Sequence, residues 1–137
     1  MSSQIIGDDR MFKVGDIVEV ITEFELKEIA TRKDNDGNYF LGDGFKFVAD
    51  MKDKKPMSSL YGKQVKIKEV YKIYDGTYRY KVEDNDYRFT DDILFRPNDK
   101  ERLENYKKIL ICNKSLCLFN LEYIDNELNR ISELLED

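Results

Sequence analysis

The sequence predicts an α+β protein: a small β-barrel with an inserted short helix, then a C-terminal helical tail. Three observations predict it. Short apolar runs recur between residues 11 and 96, with a turn signal about every ten residues. The box Thr22-x-x-Glu25 interrupts them with a helical period. After Pro97 glycine and proline vanish, and apolar residues repeat at three and four. These divide the chain into an N-terminal extension (1–10), a barrel (11–96) and a helical region (97–137).

The first strand follows the turn Val14-Gly15-Asp16 and carries Ile17, Val18, Val20 and Ile21. In the box that follows, the Thr22 hydroxyl can accept from the third backbone N–H while Glu25 reaches back. Leu26, Ile29 and Ala30 then share a helical face. Asp36-Gly37 breaks the helix before Tyr39-Phe40-Leu41, and "GDG" turns again into "FKFV". Residues 22–59 are long for a connector and must carry structure of their own. The stretch 34–43, "DNDGNYFLGD", has acids at calcium-loop spacing, but Arg32 falls where the metal needs its first oxygen, so a turn is the better reading.

Gly62 turns into a strand with Val65, Ile67 and Val70, and Asp75-Gly76 turns into "YRYKV". Side chains alternate across a strand. Tyr78, Tyr80 and Val82 therefore share one face and Arg79 and Lys81 the other, as Tyr87 and Phe89 oppose Arg88. Burying a large apolar side chain is worth about 1.5–3 kcal/mol, which assigns the aromatic set to the core. The basic set, Lys63, Lys66, Lys68, Arg79, Lys81 and Arg88, becomes a candidate nucleic-acid or partner face. Thr90 caps a single helical turn over "DDI".

In the tail, Asn98-x-x-Glu101 reads as a capping-box variant. Leu103, Tyr106 and Leu110 make one apolar stripe, and Cys117, Leu121, Ile124, Leu128, Ile131 and Leu135 a second. The stripes slip around Asn113-Lys114-Ser115, so the tail is one stuttered helix or a pair turned there. Both halves carry an apolar face that needs covering, which favours the pair. The seam Leu121, Ile124, Leu128, Ile131, Leu135 is a candidate helix–helix contact, with a second copy of the chain in a two-fold dimer as its favoured cover and the barrel or the first tail helix as the alternative. Cys112 and Cys117 lie among leucines and isoleucines and read as buried thiols in a helical core.

The net charge is −5, spread as −5 over residues 1–50, +3 over 51–97 and −3 over 98–137. An acidic total argues against a general nucleic-acid binder. The absence of histidine removes the commonest general base and the commonest zinc nitrogen ligand. No phosphate cradle, nucleophile elbow or metalloprotease motif occurs, and adjacent acids such as Asp91-Asp92 diverge too far for paired acid–base work. The expectation is a protein that is no enzyme and needs no cofactor or metal. No apolar run approaches the roughly 20 residues of a membrane span, and "MSSQIIGDDR" lacks a signal peptide's basic start and apolar middle, so a soluble, cytoplasmic protein is expected.

"FKVGDIVEV", "LYGKQVKIKEV" and "YRYKVEDNDYRFTDDIL" resemble a group of small SH3-like proteins from phages and phage-derived regions of low-GC Gram-positive bacteria. The matching positions are Val14-Gly15-Asp16, Met57, Gly62-Lys63, Val65, Ile67, Tyr78, Glu83-Asp84, Phe89 and Thr90-Asp91-Asp92-Ile93, within about residues 11–96. Phe89 stands where the family often has tryptophan. The resemblance implies an SH3-like barrel and a binding module of phage or mobile-element origin. It further implies a host protein as partner, for instance an antiviral defence nuclease inhibited in anti-CRISPR fashion, in the cytoplasm of an infected or lysogenic host. The acidic end segments could then imitate a nucleic-acid backbone toward a basic channel. The alternative is nucleic-acid binding by the basic face. No membrane partner is expected.

Overall fold

A computed structural model describes residues 12–42, 45–49, 55–74, 76–115 and 121–136. The chain is α+β, with antiparallel sheets and, among the described residues, three α-helices. The expected N-terminal extension, Cys117 and the turn residue Asp75 lie outside the described residues.

Strand β1 (Ile17–Val20) follows a turn in which Gly15 adopts φ +95°, a left-handed conformation that glycine takes without a Cβ clash. Helix α1 (Glu23–Ile29) starts at the predicted box: Thr22 caps Glu25 N–H and the Glu25 side chain returns to Thr22 N–H. The insert then makes three two-residue strands, β2 (Arg32–Lys33), β3 (Tyr39–Phe40) and β4 (Lys46–Phe47), which pair only with one another among the described residues. The stretch before β3 is the expected turn: Asp34 Oδ1 accepts from Asp36 and Asn38 N–H, each at 3.0 Å, and those backbone bonds hold its carboxyl below its usual range.

A 3-10 turn (Met57–Leu60) leads to β5 (Gln64–Lys72), β6 (Tyr78–Val82) and β7 (Arg88–Phe89). A second 3-10 turn (Asp91–Ile93) precedes β8 (Leu94–Phe95). The sheet order is β7-β6-β5-β1-β8. The nine-residue β5 serves two partners: Gln64–Lys66 pair with β1, and a register shift between Ile67 and Glu69 redirects the strand along β6.

The expected closed barrel is corrected here to an open five-stranded sheet and a separate three-stranded sheet among the described residues. The end strands β7 and β8 have two residues each, too short to reach around and pair, and the insert's strands satisfy themselves. Both sheets still share one core: Val18, Val20, Ile67, Tyr80, Val82 and Phe89 pack with Tyr39, Leu41 and Phe47. The hairpin alternation holds for Tyr80, Val82 and Phe89, which are buried, and for Arg88, which is exposed, whereas Tyr78, Tyr87, Arg79 and Lys81 are all half-buried.

The tail is a helix pair, α2 (Lys100–Ser115) and α3 (Leu121–Glu136). Contacts run antiparallel, with Tyr106 bonded to Glu127 and Lys114 to Asp125. Asn113, Lys114 and Ser115 are helical, so the expected turn does not fall on them. The cap of α2 is Asp99 rather than Asn98: its Oδ1 accepts from Arg102 N–H at 3.1 Å, and its own C=O accepts from Leu103 N–H. Cys112 is exposed, contrary to expectation. It lies about 200° around the helix from Leu110 at 100° per residue, so it leaves the stripe of Leu103, Tyr106 and Leu110.

Candidate functional site

β1 has a different environment on each face. Val18 and Val20 point into the sheet core. Glu19, on the opposite face, is only 2% exposed because the tail covers it. There Arg102, in the first turn of α2, donates from Nη1 to Glu19 Oε1 at 2.6 Å. Its Nε and Nη2 form a two-bond fork to Glu25 of α1, both at 2.8 Å. Glu25 also accepts from the Thr22 hydroxyl at 2.8 Å, so one carboxylate caps α1 and holds α2. The guanidinium carbon lies 4.7 Å from the Phe95 ring centroid and 5.1 Å from that of Tyr106. Burial alone would lower the Arg102 pKa, but its bonds to Glu25 and then Glu19 outweigh that and raise it.

Arg130 of α3 joins this latch, 3.4 Å from Glu19 and 2.8 Å from Glu127. The Tyr106 hydroxyl donates to Glu127 Oε1 at 2.8 Å. Burial pushes the Tyr106 pKa up, and its hydrogen-bonding to Tyr123 and Glu127 pushes it further. Beside the latch is a second apolar cluster, Leu103, Tyr106, Leu110, Ile124 and Ile131, against which Phe24 of α1 packs. α1 thus joins both cores, with Leu26 in one and Phe24 against the other.

A groove of about 480 Å³ opens along the latch, between α1, the turn before β8, β8 itself and α2. Ile21, Ile29, Phe95 and Ile109 supply its apolar wall. Glu28, Asp92, Asp99 and Glu101 bring carboxylates to it, and Glu25 and Arg102 line it as a pair that is already satisfied. Glu28, Asp92 and Glu101 are exposed, and no described cation makes a salt bridge with any of these four acids. Glu25 and Glu28 come from the acidic segment 1–50, and Asp99 and Glu101 from the acidic segment 98–137. The fold brings the two together.

The candidate basic face is split. Lys63, Lys66 and Lys68 are exposed. Arg79 bonds the Thr77 hydroxyl and the Tyr78 carbonyl, both at 3.1 Å. Lys81 lies 3.9 Å from Glu69, and Arg88 stacks 4.9 Å from the Tyr71 ring centroid. Within the candidate helix–helix seam, Ile124 and Ile131 are fully buried inside the chain, Leu128 and Leu135 are half-buried, and Leu121 is exposed. Sequence reasoning missed Glu19 and Arg102: a lone acid in a strand and a lone arginine on a helix carry no local signal for a contact 83 residues apart.

Among the described residues, no group of three or more histidine, cysteine or acidic side chains is placed to hold a metal ion. No described helix is long and apolar enough to cross a membrane. Compared with family models, curated proteins and solved structures, the chain matches none.

Proposed function

We propose that the chain is a non-enzymatic binding protein of phage or mobile-element origin that occludes a host protein. The partner class is a nucleic-acid-processing defence protein, such as an antiviral nuclease, inhibited in anti-CRISPR fashion in the cytoplasm of an infected or lysogenic host. The observation that carries this reading is the groove, where Glu28 and Glu101, one from each acidic end segment and neither in a salt bridge with a described cation, meet over an apolar wall. Such a surface complements a basic channel and repels nucleic acid. The origin rests on the resemblance of the strand and hairpin motifs. The order β7-β6-β5-β1-β8, with one 3-10 turn before the last strand, supports an SH3-like body.

A second reading, nucleic-acid binding, is favoured by Lys63, Lys66 and Lys68, which no described carboxylate pairs. Electrophoretic mobility shift with duplex DNA and RNA at low salt separates the two. The first reading expects no shift; a strong, salt-sensitive shift lost in Lys66→Glu/Lys68→Glu establishes the second instead. Affinity capture from a bacterial lysate should yield a basic, nucleic-acid-binding protein that added duplex DNA displaces.

A further inference from the structure

We propose that the groove between α1 and α2 seats an amphipathic, arginine- or lysine-bearing segment of a partner protein. Its apolar side lies on Ile29 and Ile109, and its cations meet Glu28, Asp92 and Glu101. This rests on the binding-protein reading above and specifies the docking site and the chemistry of the docked segment.

Three features select that occupant. The groove's volume, about 480 Å³, is that of a ligand-sized cleft, and its wall is more apolar than polar. Ile29 is 46% exposed at this wall, an apolar surface that a docked side chain would remove from water. One of the acids is also not accounted for by the helix it sits on. Asp99 and Glu101 suit the N-terminus of α2, but Glu28 lies in the last turn of α1, where a negative charge opposes the helix dipole. Arg102 cannot neutralise them, because its single charge already faces two carboxylates, Glu19 and Glu25, which take three of its five N–H groups. An apolar wall bounded by unpaired acids fits a segment with aliphatic side chains on one side and cations beside them. It disfavours an acidic peptide or a nucleic acid.

The test is fluorescence polarisation with a labelled synthetic peptide of leucine and arginine at helical spacing, beside the same peptide with glutamate for arginine. The full chain should bind the arginine peptide in a salt-sensitive manner and ignore the glutamate one. Glu28→Lys/Glu101→Lys should weaken binding roughly tenfold. Glu122→Lys/Glu133→Lys, an equal charge change on exposed positions of α3, should leave it within about twofold. Ile29→Ser should weaken binding with no change in charge. Thermal unfolding of each variant separates lost binding from lost folding. No binding by the wild type, or equal weakening by the two charge reversals, overturns the proposal. A captured host partner that binds Glu28→Lys/Glu101→Lys as tightly as wild type removes the groove assignment and leaves the binding function standing.

Discussion

The two faces of β1 are held by different physics. Under Val18 and Val20 lies a dry core of aromatic and branched side chains drawn from both sheets. Over Glu19 lies a latch of two arginines and three glutamates that fastens the helix pair to the body. Burial of apolar surface is tolerant of shape and has no direction. The latch is directional: the Arg102 fork matches Glu25 only when α1 and α2 meet at one angle. A buried ion pair adds little net stability over a well-packed apolar replacement, but losing one partner is expensive. The latch therefore fixes where the tail sits more than how firmly the chain folds, and the groove lies along the line it fixes.

The largest expected effect comes from the tail's own apolar cluster. Leu128→Asp/Ile131→Asp puts charge where Ile131 is fully buried. It should cost more than about 4 kcal/mol and lower the melting temperature, with the mass by light scattering unchanged. A wild-type dimer that becomes a monomer would instead mean that the seam is shared between copies.

Breaking the latch should cost slightly less. Arg102→Ala strands Glu19 and Glu25 and should destabilise by about 3–5 kcal/mol in denaturant unfolding. Arg102→Met with Glu19→Met and Glu25→Gln should recover most of that loss, because no buried charge is left without a partner. If the triple variant is no more stable than Arg102→Ala, the latch contributes net stability and the contrast with the dry core is smaller than drawn.

A pH series gives a finer comparison. Burial alone would raise the Glu127 pKa, but the Arg130 ion pair and the Tyr106 hydrogen bond outweigh it and hold the group below its ordinary 4.5. The folded protein then binds its proton later than the unfolded chain does. That contribution is complete above the ordinary value and is lost as pH falls through the lowered one. Glu127→Gln should flatten the acid limb of stability below about pH 4.5; an unchanged limb would mean that other carboxylates set it.

The same contrast explains what could be read from the sequence. The hairpin β5–β6 and the cap of α1 were legible because their signals are local: alternation at two residues, and Thr22 three residues before Glu25. The helix pair was legible from its two apolar stripes. The second role of Glu25 was not, since a complete capping box gives no hint that the same carboxylate reaches Arg102, 77 residues away. Glu19 drew no reading from the sequence, and only the tail's placement makes it dry. Cys112 was misjudged from its neighbours Leu110 and Ile111 when its angle around α2 decides exposure. The acidic groove was foreshadowed by the charges of the two end segments, but their meeting point is a product of tertiary packing.

The smallest effect on folding should accompany the largest effect on function. Glu28 and Glu101 are exposed, so Glu28→Lys/Glu101→Lys should shift stability by no more than about 0.5 kcal/mol per site. The direct measurement is quantitative affinity capture of the host partner by wild type, by this variant and by Lys66→Glu/Lys68→Glu on the basic face. The account predicts that the acidic-groove reversal weakens capture roughly tenfold while the basic-face reversal leaves it intact. Capture that survives the first and fails with the second would contradict it.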